Sequence, residues 1–142
     1  MFPELTVAPM REELTRLGVQ EARTPEAVDA AIRGSKGTLM VVVNSICGCA
    51  AGRMRPAVRA ALESLVRPER SITVFAGQDI AATQRAREYF VGHPPSSPSI
   101  AIMREGKLAF FMPRMEIEGR DAASIATALK QAFEQLCQPP AI

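Results

Sequence analysis

Tryptophan is absent from this sequence, tyrosine and histidine occur once each, and cysteine only three times. Its 17 basic residues face 15 acidic ones and are scattered. That leaves neither a basic field nor a set of aromatic platforms for stacking on bases, so nucleic acid is not expected as a partner. Three cysteines, an odd number, do not make the disulfide framework of a small secreted domain. Long hydrophobic runs are also missing: "TLMVVVNSI" is about half the roughly 18 residues that span a bilayer, so no membrane association is expected. The opening "MFPELTVAPMREEL" places acid and proline early and lacks an apolar signal-peptide core. These absences point to a protein of the reducing cytoplasm, and 142 residues at 47% hydrophobic content are enough for one domain, 1–142, to bury a core without staples.

What is present is punctuated clearly. After Pro9, "MREELTRLG" has Leu14 and Leu17 at i, i+3 and Gly18 as a stop, which predicts a first short helix. "TPEAVDAAIRG" predicts a second, with Thr24 as N-cap, Pro25 at the first helical position and Gly34 closing it. "TLMVVVN" (38–44) has the unbroken apolar, β-branched character of a strand buried on both faces. Beyond Gly48, Met54, Ala57, Val58, Ala61, Leu62 and Leu65 keep helical spacing, and Pro56 should kink that helix because it cannot donate to the Gly52 carbonyl. "SITVFAG" (71–77) reads as a second buried strand, followed by a helix through "IAATQRAREYFVG" capped by Asp79. "SIAIMREGKLAFFMP" predicts two strands turned at Glu105 and Gly106, and Asp121 caps a last helix that Pro139 and Pro140 stop.

Two leading helices thus precede the order strand, helix, strand, helix, strand, strand, helix. A right-handed crossover makes the first two strands parallel and the hairpin adds antiparallel strands. The expected fold class is α/β: a thioredoxin-like, three-layer arrangement with a mixed central sheet, helices on both faces and two extra N-terminal helices.

Cys47 and Cys49 sit where the first strand gives way to a helix. A thiolate is the nucleophile in thiol chemistry, and the free N–H groups of a helix N-terminus lower a thiol pKa. Arg53 and Arg55 follow within two turns, and glycines 48 and 52 permit close approach of a substrate. A disulfide across one intervening residue departs from relaxed geometry and suits exchange rather than bracing. Two blander readings compete. Both cysteines fit as small buried hydrophobes, and Cys47, Cys49, Cys137 and His93 supply four potential zinc ligands, although structural zinc sites favour two to four residues between paired cysteines. No metal is expected.

The blocks "VVVNSICGCAAG", "RPA" at 55–57, "TVFAGQD", "REYF", "PPSSPS" at 94–99 and "IEG" at 117–119 resemble, in this order, the bacilliredoxin family, thioredoxin-fold proteins with a Cys-Gly-Cys motif. The similarity runs from "APMREEL" to the last helix. It implies a thiol–disulfide oxidoreductase that removes bacillithiol, a low-molecular-weight thiol, from oxidised cytoplasmic proteins. Its partners would be bacillithiolated clients, bacillithiol itself as thiol co-substrate and a bacillithiol disulfide reductase, with no bound cofactor. Cys47 matches the attacking cysteine and Cys49 the resolving one. Pro98 matches a cis-proline facing them, which exposes Ser97 backbone groups to an extended substrate. Arg55 is the candidate for holding bacillithiol carboxylates, Cys137 is a possible third redox thiol pairing with Cys47 or another chain, and His93 reads as a loop residue. Arg53 and Met54 depart from the family pattern in a way that bears on substrate preference. The alternatives are a general protein disulfide isomerase or reductase, and a non-catalytic thiol- or zinc-binding module.

Overall fold

The computed structural model describes residues 1–138, so the expected stop at Pro139 and Pro140 lies outside the described residues. One five-stranded sheet organises them: β1 (Gln20–Glu21), β2 (Thr38–Asn44), β3 (Arg70–Phe75), β4 (Ser99–Arg104) and β5 (Lys107–Met112), in the order β1-β3-β2-β4-β5. β3 runs parallel to both β1 and β2, whereas β4 is antiparallel to β2 and to β5.

Strand β2 is central, and all seven of its residues are buried. Its side chains alternate between two cores, as a pleated strand requires. Met40 and Val42 join Ile100 and Ile102 beneath α3 (Arg55–Ala61) and α6 (Ala122–Leu136). Leu39, Val41 and Val43 join Ala101 and Met103 against α2 (Pro25–Gly34) and α4 (Ile80–Glu88). This is the three-layer α/β arrangement read from the order of elements. The β4–β5 turn follows its residues: Glu105 and Gly106 both have positive φ, 53° and 79°, as a two-residue hairpin turn of the right hand requires. No described helix is long and apolar enough to cross a membrane.

Several elements differ from the pattern. Helix α1 runs Glu4–Thr15 with Pro9 inside it, not at its start. The carbonyl that Pro9 cannot satisfy is that of Leu5, an exposed residue and so open to solvent. Strand β1 has two residues, too few to show a period. Asp79 does not cap α4, because its carboxylate is bound to Arg11. The helix after β2 is not one kinked α-helix. A π-helical turn over Ala50–Met54 leads without a break into α3, and Pro56 follows directly on it. That helix ends at Ala61, leaving Leu65 exposed. A short helix, α5 (Arg114–Glu118), follows β5 unannounced by any long periodicity.

Candidate active site at the end of β2

The chain leaves β2 through Asn44 and Ser45, both buried polar residues whose side chains are hydrogen-bonded. Asn44 Oδ1 accepts from the Ser45 N–H at 2.9 Å and from Arg55 Nη1 at 2.9 Å, while Asn44 Nδ2 donates to the Met10 carbonyl at 3.2 Å. Ser45 Oγ accepts from the Cys47 N–H at 3.0 Å, and the Cys47 carbonyl accepts from the N–H groups of Ala50 and Ala51. These bonds turn the chain sharply and begin a helix at the glycine between the cysteines. A side chain on Gly48 or Gly52 would meet nothing within 4 Å, so this turn faces open space.

Both thiols are free and half-buried. The Cys49 N–H donates to Cys47 Sγ at 3.2 Å. Burial pushes the Cys47 thiol up, but the N–H and the thiol of Cys49, the charge of Arg114 and the Ala50 N–H together outweigh it and hold it below the ordinary thiol range. Cys49 moves the other way: its hydrogen bond to Cys47 comes first, then burial and the negative charge of Cys47, and its thiol is pushed up. One sulfur is thereby favoured as thiolate and its neighbour as thiol, a division of labour that a bare Cys-x-Cys does not specify.

The Ser97–Pro98 peptide is cis. Pro98 is buried and Ser97 half-buried. Arg114 ties this loop to α5: its backbone N–H donates to Ser96 Oγ at 2.7 Å, Nη1 points at the Ser97 carbonyl at 3.4 Å, and Nε binds the Glu118 carboxylate. Arg114 therefore touches the cis-proline loop, and its charge acts on Cys47. Periodicity gives no sign of it; the only sequence pointer is its place beside the family block at 117–119.

Other expected site residues lie elsewhere. Arg55 is 3% exposed, donates to Asn44 Oδ1 and to the Ser45 carbonyl, and pairs with Glu13 at 3.1 Å, so its guanidinium braces the site from within instead of offering itself to a substrate. Cys137 is buried, and burial raises its thiol, partly offset by a hydrogen bond with Thr38. Thr38 begins β2 whereas Cys47 follows its far end, and the six steps along this seven-residue strand separate its ends by about 20 Å. A disulfide needs Cα atoms about 4.4–6.8 Å apart, so Cys137 does not pair with Cys47 within this fold. His93 is an exposed loop residue stacked on Phe111, ring centroids 4.4 Å apart. No three His, Cys, Asp or Glu among the described residues are grouped to hold a metal ion.

Comparison with known proteins agrees with this geometry. A family model described as "Disulphide isomerase" matches residues 2–137. A bacilliredoxin of Koribacter versatilis is 61% identical, covering 96% of this chain and 94% of its own. Bacilliredoxins of Salinibacter ruber and Bacillus cereus are 51% and 48% identical, covering 99% and 96% of this chain and 85% and 94% of their own. Among solved structures, the oxidised thioredoxin of Plasmodium falciparum superposes with a TM-score of 0.58 at 16% identity, over 82% of this chain and 96% of that one. A Malassezia sympodialis thioredoxin gives 0.57 at 13%, over 83% and 90%. At such identities these two structures speak for the fold alone, which is the thioredoxin fold.

Proposed function

Because the chain belongs to the disulphide isomerase family and is a thiol–disulfide oxidoreductase, we propose that it removes bacillithiol from mixed disulfides on cytoplasmic proteins. One observation carries the assignment of roles: the Cys49 N–H donating to the half-exposed Cys47 sulfur at 3.2 Å, which favours Cys47 as thiolate. The bacilliredoxin names of its relatives supply the thiol.

The Cys47 thiolate attacks the bacillithiol sulfur of a client mixed disulfide. The client thiolate leaves, and bacillithiol stays on Cys47 as a new disulfide. Cys49, after losing its proton, attacks the Cys47 sulfur and expels bacillithiol as thiolate, leaving a Cys47–Cys49 disulfide. Two electrons from external bacillithiol, itself kept reduced by a bacillithiol disulfide reductase, restore the dithiol. Alternatively, free bacillithiol attacks the Cys47 adduct directly and leaves as bacillithiol disulfide. The Ser97 backbone beside cis-Pro98 offers main-chain pairing to an extended client segment.

The test is mass spectrometry of variants mixed with a bacillithiolated client. Cys47→Ser should abolish removal, since a hydroxyl does not replace the thiolate. Cys49→Ser should complete the first step and accumulate bacillithiol on Cys47 until thiol is added. An active Cys47→Ser variant, or an adduct on Cys137, would overturn the roles. The family description favours a second reading, isomerisation or reduction of protein disulfides. Rates on a bacillithiolated client and on a protein with scrambled disulfides, compared side by side, separate the two.

A further inference from the structure

We propose that Arg53 is an anion subsite that holds a carboxylate of the departing small thiol while its sulfur is on Cys47, so that the enzyme prefers acidic thiol adducts. This rests on the reading that the bond broken joins a client to a low-molecular-weight thiol.

The surface beside the cysteines is a shallow, open groove. A recess of about 430 Å³ is lined by Cys47, Gly48, Cys49, Arg53 and Glu118. A second, of about 310 Å³, shares Arg53 and Glu118 with it and extends past Gly52 to Arg120 and Asp121. Together they have the size of a small-molecule site, with both thiols at one end. The other charges along it already have partners. The Arg114 guanidinium binds the Glu118 carboxylate, Arg120 stands 3.8 Å from Glu116, and Asp121 accepts the Ser124 N–H at 2.8 Å.

Arg53 differs from these. Its Nη1 donates to the backbone carbonyl of Glu118, a neutral partner, and no carboxylate of the described residues lies within ion-pair distance of it. That bond holds the guanidinium across the groove and leaves most of its five N–H donors free, with Asp121 near enough to feel its charge but not paired to it. Gly52, adjacent in the chain, puts no side chain in the way. The carboxylate-binding role expected of Arg55 therefore belongs two residues earlier. Positions two apart on a helical turn face opposite sides, so Arg55 points into the core and Arg53 into the groove. Bacillithiol carries carboxylates, which makes it an acidic thiol of the kind such a subsite would take.

The experiment uses one client protein carrying, at the same cysteine, bacillithiol, glutathione or 2-mercaptoethanol, the first two acidic and the third neutral. The quantity read is the ratio of kcat/KM for each acidic adduct to that for the neutral one. Arg53→Gln should lower that ratio by roughly threefold to fivefold, mainly through KM, as loss of one solvent-facing ion pair would. Arg53→Glu should lower it further, and Arg53→Lys should restore much of it. Added salt should draw the wild-type ratio toward that of Arg53→Gln, because an exposed pair is screened. A ratio unmoved by Gln and Glu, or losses equal on acidic and neutral adducts, would overturn the assignment. If the wild type clears the glutathione and mercaptoethanol adducts but not bacillithiol, the bacillithiol reading fails instead, and the glutathione-to-mercaptoethanol ratio still decides the role of Arg53.

Discussion

Two cysteines separated by one residue share a solvent, a helix start and nearly the same burial, so their difference must come from directed bonds. The Cys49 N–H aims at the Cys47 sulfur, and the Cys49 sulfur faces a neighbour that is already negative. Arg114 adds a positive charge on the Cys47 side and is itself favoured in its charged form first by Glu118 and then by Cys47. The sign of a pH effect follows. Alkylation of Cys47 tracks its thiolate fraction, so its midpoint should lie below the ordinary thiol range and that of Cys49 above it. Arg114→Gln removes an attraction for the thiolate and should move the Cys47 midpoint to higher pH while Cys137 stays as slow as burial makes it. Iodoacetamide labelling against pH, read by mass spectrometry, checks this; an unchanged Cys47 profile would remove Arg114 from the site.

At the scale of elements, the junction from β2 to α3 decides where the thiols point. Asn44 ends the strand at 1% exposure, and Arg55, in the first turn of α3, reaches back to its side chain and to the Ser45 carbonyl. Arg55→Met would keep the bulk and remove the donors, leaving two buried oxygens short of a partner and Glu13 without its cation. The cost should be about 2–3 kcal/mol, which for a chain of this size lowers Tm by about 8 °C. Arg55→Lys should not rescue it, since a single ammonium does not reproduce the fork that serves Asn44, Ser45 and Glu13 together. Thermal unfolding within about 2 °C of wild type would show that the junction holds without this brace. The junction itself is legible in sequence, because a β-branched run ending in glycines marks a strand giving way to a helix. The destination of Arg55 is not, because Asn44, Glu13 and Met10 meet only once α1 has packed over the strand end. The same holds for Asp79, a sound cap by its position, which bonds Arg11 instead. Local rules name what a side chain can do, and tertiary partners decide which option is taken.

Across the whole molecule, the layers on either face of the sheet follow from alternation along β2 and β4, but nothing in that alternation fastens α1 to the rest. Arg11 does so. It is 4% exposed, yet binds Asp79 through two nitrogens at 2.7 and 2.9 Å, Glu4 at 2.7 Å and Glu21 at 3.0 Å, with the Phe75 ring centroid 5.3 Å from its guanidinium carbon. One cation thus joins the first helix, the edge strand β1 and the turn after β3, at the end of the sheet that carries the cysteines. A buried ion pair of this kind is better evidence of a fixed arrangement than of net stability, because desolvation offsets much of the attraction. The two effects separate in a double-mutant cycle. Arg11→Met strands Asp79, whose side chain is 11% exposed, without its cation, while Glu21 keeps Arg23 at 2.6 Å. The change should cost about 3 kcal/mol by chemical denaturation. Arg11→Met combined with Asp79→Leu removes the stranded charge as well as the partner, and should be more stable than the single Arg11→Met variant. If the double variant is instead destabilised by the sum of the two single changes, Arg11 and Asp79 act independently, and α1 is held to the sheet by its other contacts, among them Glu13 with Arg55 and the Met10 carbonyl with Asn44.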